Sequence, residues 1–212
     1  MNTLLTELIA RYPILTPIKA DIQKAAEMML ETYRAGGKIL VCGNGGSCAD
    51  SDHIVGELMK GFLGKRRMDP QQQERFRDAL GEEAQELIEK LQCGIPAISL
   101  PSQSAVLSAF ANDVDAELMY AQLVFGYAKK EDLLIGLSTS GNSKNVTAAV
   151  KVAKAMGVST LALTGSRESE LSKRCDCTIR VPETETFKVQ ELHLPVYHYL
   201  CAYVENQLFG SI

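Results

Sequence analysis

The sequence lacks tryptophan, any Cys-x-x-Cys pair and any apolar run near the roughly 20 residues that span a bilayer. Its six cysteines are scattered, so neither a zinc ribbon nor a disulfide scaffold is indicated. The first residues, MNTLLTELIARYP, show no basic region followed by a long apolar run, which is how a secretory signal would begin. The net charge of −4 gives no field that would attract nucleic acid or an anionic membrane. We therefore expect a cytoplasmic protein whose partner is a small molecule.

Short apolar runs alternate with helical patterns along most of the chain. The runs cover residues 38–42, 96–100, 132–138, 159–165 and 177–181. Their nearly continuous hydrophobicity is typical of strands that are covered on both faces, and helices between them supply right-handed crossovers. The sequence thus predicts an α/β domain over residues 1–212 with a five-stranded, doubly wound parallel sheet. A helical segment at residues 1–36, with helices over 2–11 and 18–35, precedes the sheet.

Residues 64–93 form a charged insertion between the first helix of the sheet and the second strand. Apolar residues recur there at helical spacing: Phe76, Leu80, Ala84, Leu87, Ile88 and Leu91. The pattern predicts one amphipathic helix from about Pro70 to Gln92. We expect its apolar stripe to pack on the protein surface; an oligomer contact or a lid are the alternatives.

Two strand-to-helix turns have residues that suit an anion. In GNGGS, residues 43–47, glycines let the backbone approach a ligand closely, and Ser47 can cap the helix or bind the ligand. The G-x-G-x-x-G spacing and the P-loop lysine are absent, so neither a dinucleotide nor ATP is favoured. The second turn, STSGNS, begins at Ser138 and also holds Thr139, Ser140 and Ser143. One serine would serve as a helix cap, but four hydroxyls next to a helix N-terminus predict a phosphate site.

Two predicted helices carry groups able to move a proton. His53 and Glu57 lie four residues apart on the helix after GNGGS, so they share one face. A later, mostly apolar helix contains Gln190, Glu191, His193 and His198. All three histidines of the chain therefore fall on two candidate site helices.

These motifs resemble those of the sugar isomerase (SIS) domain family, and within it the phosphoheptose isomerases. GNGGS with His53 and Glu57, Asn112-Asp113, STSGNS, RVP and Q-E-x-H-x4-H occur in the family's order between residues 35 and 209. The resemblance implies a flavodoxin-like three-layer sandwich and a homotetramer with sites at subunit interfaces. It also implies isomerisation of sedoheptulose 7-phosphate to glycero-manno-heptose 7-phosphate through an enediol.

The resemblance also assigns roles to individual residues. The expected substrate-binding residues are Asn44, Gly45, Gly46, Ser47, Glu57, Asn112, Asp113, Ser138, Thr139, Ser140, Ser143 and Gln190. The expected zinc ligands are His53, Glu57, Gln190 and His198, and Glu57 and His198 are also the acid/base candidates. The two roles of Glu57 compete, because a carboxylate held by zinc is a poorer base.

Two features depart from the family pattern. Gln190 and His198 are eight residues apart, roughly 12 Å along a helix, and Pro195 between them makes a kink plausible. The insertion at 64–93 is the other departure. Catalysis remains favoured over two alternatives: a non-catalytic sugar-phosphate sensor or replication-initiator partner, and a purely structural tetramer. A binding protein can dispense with an acid/base pair, which this chain retains.

Overall fold

A computed structural model describes residues 3–210, so Asn2 of the first predicted helix lies outside the described residues. The strands are β1 (Ile39–Gly43), β2 (Ala97–Ser99), β3 (Leu133–Leu137), β4 (Ser159–Thr164) and β5 (Cys177–Arg180). The α-helices are α1 (Thr3–Arg11), α2 (Lys19–Arg34), α3 (Gly46–Met59), α4 (Pro70–Leu80), α5 (Ala84–Lys90), α6 (Ser104–Phe110), α7 (Met119–Tyr127), α8 (Lys144–Ala155), α9 (Glu170–Arg174) and α10 (Thr186–Phe209).

The five strands form one parallel sheet in the order β2-β1-β3-β4-β5. This is the flavodoxin-like order, so the predicted sheet and its class are confirmed. Gly43 pairs in register with Leu137, which brings the carboxyl ends of β1 and β3 side by side. The strand order reverses between these two strands, and ligands of open α/β sheets bind at such a point.

Each strand buries side chains on both faces, as the continuous apolar runs predict. Ile39 and Val41 face a core formed with α1, α2, α3 and α10. Leu40 and Leu134 face a second core formed with α7 and α8. The two cores hold α3 and α8 against opposite faces of the sheet, with both helices starting at the same edge.

The insertion differs from the single predicted helix. It forms α4 and α5, separated by a 3₁₀ turn that begins at Gly81, where φ is +59°. Only glycine adopts such a backbone conformation readily, so the helix breaks there. Of the predicted apolar stripe, Ala84 is buried, while Leu80, Leu87 and Leu91 are exposed. The expected packing of this stripe is therefore only partial within one chain.

The long helix α10 runs from Thr186 to Phe209 without interruption, and Pro195 lies inside it and is buried. Its buried residues face α2, α3 and the sheet. Within residues 3–210, none of the helices combines the length and the hydropathy needed to cross a bilayer.

Candidate active site

The two predicted anion turns lie next to each other at the carboxyl edge of the sheet. Asn44, in the turn after β1, and Asn145, in the first turn of α8, exchange two side-chain hydrogen bonds of 2.8 and 2.9 Å. Gly45 takes a φ of +57°, which lets the chain turn sharply from β1 into α3. A paired amide bridge thus joins the glycine turn to the serine turn.

Three of the four predicted hydroxyls cluster after β3. Ser138 Oγ lies 2.9 Å from Ser143 Oγ and 3.5 Å from Ser140 Oγ. Ser143 is the N-cap residue of α8, but its side chain makes no capping hydrogen bond. Its hydroxyl therefore stays in the cluster, beside the positive end of the α8 dipole. By contrast, Ser47 is buried in the first turn of α3, and Gly45 holds the N-cap position, so Ser47 is not the cap.

Gln190 brings α10 against the glycine turn. A Cβ placed on Gly46 would lie 2.4 Å from Gln190 Nε2, so a side chain at this position would displace the amide from the turn. His198, eight residues further along α10, contacts His53 of α3 instead. Because α3 rises about 1.5 Å per residue, Gly46 and His53 are roughly 10 Å apart along its axis. The site therefore extends along α3, with Gln190 at one end and His198 at the other.

His53, Glu57 and His198 come together at that far end. His53 Nε2 lies 3.3 Å from Glu57 Oε1 and 3.4 Å from His198 Nε2. Glu57 is half-buried, and its other oxygen pairs with Lys60 Nζ at 3.1 Å. Burial and the neighbouring His53 lower the pKa of His198, while Glu57 opposes the shift. His198 is accordingly neutral at neutral pH.

Tyr197 and Asp50 lie behind this cluster. The Tyr197 hydroxyl is within hydrogen-bond distance of both Asp50 Oδ1 and His53 Nδ1. Burial and the nearby Asp50 raise the pKa of Tyr197, so the hydroxyl keeps its proton. Burial also raises the pKa of Asp50, against the opposing effects of Tyr197 and His53.

A buried ion pair fixes the end of α3 that carries Glu57. Arg66 Nε bonds Glu205 Oε1 of α10 at 2.7 Å, and both side chains are at most 1% exposed. The same guanidinium donates to the carbonyls of Leu58 and Glu57 at the end of α3. Arg66 therefore caps α3 and attaches it to α10 near His198.

Asn112 and Asp113 occupy a π-helical turn, Ala111–Asp115, and are exposed. The Asn112 amide donates to Asp113 at 2.8 Å. No hydrogen bond or ion pair within residues 3–210 joins them to the other predicted site residues. Glu117, two residues after this turn, does form an ion pair with Lys144 at the start of α8, with Lys144 Nζ 2.7 Å from Glu117 Oε1.

The third histidine of the chain, His193, is fully buried. Neither of its ring nitrogens has a hydrogen-bond partner in the described chain. Burial lowers its pKa to about 4, with the Thr164 backbone acting in the opposite direction.

Among residues 3–210, no group of three or more His, Cys, Asp and Glu side chains is arranged to hold a metal ion.

Known proteins share both the sequence and the fold. Models of the SIS domain match residues 12–79 and 98–202. The phosphoheptose isomerase of Clostridium acetobutylicum is 38% identical over 191 residues, which cover 90% of this chain and 84% of that protein. The chain belongs to the SIS domain family. The phosphoheptose isomerase of Burkholderia pseudomallei strain 1710b is 36% identical, over 91% of this chain and 84% of that protein.

Solved structures resemble the SIS domain described above as well. A phosphoheptose isomerase from Francisella tularensis superposes with a TM-score of 0.76 at 26% identity, covering 93% of this chain and 91% of that one. The enzyme from Neisseria gonorrhoeae gives a TM-score of 0.69 at 30% identity, covering 87% and 86%.

Sequence reasoning missed several residues of this SIS domain site. Asp50 lies one helical turn before His53, and Tyr197 directly precedes His198, so helical spacing was the available signal. Asn145 lies two residues after the serine turn. The Arg66–Glu205 pair joins residues 139 positions apart, and no local pattern predicts it.

Proposed function

We propose that this protein is a phosphosugar aldose–ketose isomerase that converts sedoheptulose 7-phosphate into glycero-manno-heptose 7-phosphate. The observation that carries the proposal is the convergence of Glu57, His53 and His198 on α3 and α10, with a cluster of serine hydroxyls at the sheet edge where α3 begins. The similarity to phosphoheptose isomerases over most of the chain supports the same reaction.

The phosphate is proposed to bind the serine turn. Ser138, Thr139, Ser140 and Ser143 offer hydroxyl donors, and the α8 N-terminus adds a favourable dipole. Asn44, Gly45 and Gly46 form the neighbouring turn, where the Gln190 amide lies against Gly46. Asn112 and Asp113, which are exposed, are proposed as substrate-binding residues because of the family resemblance.

The separation of the two ends favours a long substrate. Roughly 10 Å of α3 lies between Gly46, in the glycine turn beside the serine turn, and His53, at the acid/base cluster. A sugar whose carbonyl and phosphate are separated by several carbons spans this distance, whereas a triose phosphate does not. The helices α4 and α5 make no hydrogen bond or ion pair with His53, Glu57 or His198 in the described chain, which leaves the insertion compatible with a heptose.

Glu57 and His198 are proposed to carry out the proton transfers. Glu57 takes a proton from C1 of the ketose and returns it to C2, and the resulting enediol is common to both sugars. His198, neutral because burial and His53 lower its pKa, moves the proton between the oxygens on C1 and C2. The half-buried position of Glu57 limits competition from water for the carboxylate.

Zinc is part of the proposal as a cofactor. Imidazole and carboxylate are donors that zinc accepts, and His53 Nε2 lies 3.3 Å from Glu57 Oε1 and 3.4 Å from His198 Nε2, but the three side chains are not arranged around one metal position in residues 3–210. His53, Glu57 and His198 would hold it; the resemblance adds Gln190, but its amide lies against Gly46, at the other end of the site from His198. When bound, it supplies positive charge for the oxygens of the enediol. Binding through Glu57 Oε1 would leave the contact of Oε2 with Lys60 in place. Metal analysis of the purified protein and of Glu57→Gln tests this component.

We also propose a cytoplasmic homotetramer with sites at subunit interfaces. Large apolar side chains lie exposed on the described chain, among them Met59, Leu63, Val114 and Phe125. Met59 and Leu63 flank the end of α3 that carries Glu57, so a second copy covering them would also enclose the site. Light scattering on the purified protein gives the mass, and a monomer would contradict this part.

Incubation with sedoheptulose 7-phosphate, with and without added zinc, tests the reaction. We expect an aldose product from the wild type and a large loss with Glu57→Gln. Binding of the sugar phosphate without any product under either condition would instead favour a non-catalytic sensor.

A further inference from the structure

A buried tyrosine joins α3 to α10 behind the acid/base cluster. Tyr197 is 1% exposed, and its hydroxyl oxygen lies 3.1 Å from Asp50 Oδ1 and 3.0 Å from His53 Nδ1. The Tyr197 and His53 rings meet edge to face with centroids 5.4 Å apart. One hydrogen bond and one ring contact therefore orient the His53 imidazole, and a second hydrogen bond attaches Tyr197 to Asp50.

The number of protons on each group determines which one donates in each of these hydrogen bonds. A tyrosine hydroxyl has one proton to donate, and here it faces two neighbours. An ionised carboxylate only accepts, and hydrogen bonds to it are stronger than those between neutral groups. Among residues 3–210, the Tyr197 hydroxyl is the one donor to Asp50, since Asp50 Oδ2 is buried without a partner. With Asp50 ionised, Tyr197 therefore donates to Asp50, and the tyrosine oxygen accepts a hydrogen bond from His53 Nδ1.

That direction determines which nitrogen of His53 is protonated. If Tyr197 accepts from Nδ1, then Nδ1 carries the proton, and Nε2 of the neutral ring has a lone pair. Nε2 is the atom that faces Glu57 Oε1 and His198 Nε2. The opposite tautomer would donate from Nε2 to Glu57 and occupy that carboxylate.

We propose that Asp50 and Tyr197 are positioning residues that keep the proton of His53 on Nδ1 and present an unprotonated Nε2 to Glu57 and His198. The role of this arrangement in catalysis rests on the proposed isomerase function. An unprotonated Nε2 leaves Glu57 free to accept a proton from the sugar, and it accepts a hydrogen bond from His198 or binds a metal ion. Mutation of a residue that hydrogen-bonds the far side of a site histidine commonly lowers activity or metal affinity about 10- to 100-fold.

Nitrogen NMR of the histidine side chains tests the tautomer directly. The chain has only three histidines, so the spectrum of ¹⁵N-histidine-labelled protein can be assigned with His53→Gln and His198→Asn variants. The measurement is made at pH 8 with EDTA, so that no bound metal fixes the tautomer. We expect His53 to carry its proton on Nδ1 in the wild type and on Nε2 in Tyr197→Phe.

Tyr199→Phe is the matched control, because Tyr199 lies on the same helix and its hydroxyl bonds Gln23 at 3.0 Å, on α2. We expect this variant to keep the wild-type tautomer. Nε2 protonation in the wild type, or an unchanged tautomer in Tyr197→Phe, would overturn the proposal.

Kinetics then separate this proposal from the proposed function. Tyr197→Phe is expected to lower kcat about 10- to 100-fold with little change in KM, and Asp50→Asn to act in the same direction. A protein with the expected tautomer but no isomerase activity would refute the function and leave the positioning role. An active protein whose His53 carries its proton on Nε2 would do the reverse.

Discussion

Replacing Glu205 by glutamine should destabilise the protein through one buried charge. The carboxylate accepts backbone N–H bonds from Phe62, Leu63 and Gly64 at 2.7–3.1 Å and bonds Arg66 at 2.7 Å. A glutamine amide of the same size would turn an NH₂ group toward some of these donors. It would also leave the Arg66 guanidinium, which is fully buried, without its counter-ion.

The expected loss follows from that uncompensated charge. Breaking a buried ion pair by removing one partner costs about 3–5 kcal/mol of the free energy of unfolding. For a protein of this size, 1 kcal/mol corresponds to about 2–4 °C, so Tm should fall by about 6–20 °C. Urea denaturation and a thermal scan of Glu205→Gln measure both quantities.

An exposed ion pair provides the control. Glu86 and Lys90 pair on α5 with 72% of each side chain exposed, and such pairs contribute little. Glu86→Gln should therefore change the free energy of unfolding by less than about 0.5 kcal/mol. If Glu205→Gln were no more destabilising than Glu86→Gln, the Arg66–Glu205 pair would not be what attaches α3 to α10.

Three further outcomes are expected. Burial lowers the pKa of His193 to about 4, so the unfolded chain binds its proton first as pH falls. Stability should therefore drop by about 2 kcal/mol between pH 7.5 and 5.0 in urea titrations, and His193→Phe should lose this share of the decline; an unchanged pH dependence would refute it. Glu57→Gln should lower kcat by about 10²–10⁴-fold, and near-normal turnover would exclude Glu57 as the base. Ser138→Ala should raise KM about 10- to 100-fold at similar kcat, since a hydrogen bond to a charged phosphate is lost; an unchanged KM would place the phosphate elsewhere.

The sheet was predictable because burial on both faces leaves a local record. The predicted run 132–138 has no polar side chain between its two end residues, and the structure places β3 there, at Leu133–Leu137. The insertion was harder, since helical spacing continues across Gly81 even though the backbone there leaves the helical conformation. Periodicity reports which face is apolar, and it does not report a break that preserves the phase of that face.

For the candidate site, local spacing was informative and long-range pairing was not. The four-residue spacing of His53 and Glu57 places both on one face of α3, where they lie 3.3 Å apart. The contact of Tyr197 with Asp50 depends on how α10 packs across α3, over 147 positions of sequence. Sequence patterns identify such residues only after the helix packing is known.

Proton exchange with solvent tests the isomerase assignment most directly. The wild-type protein is incubated with sedoheptulose 7-phosphate in D₂O, and the sugars are followed by NMR. Proton transfer through an enediol by Glu57 predicts an aldose product and deuterium on carbon in the product or the recovered ketose, with both signals lost in Glu57→Gln. No conversion by the wild type, or undiminished conversion in Glu57→Gln, would contradict it.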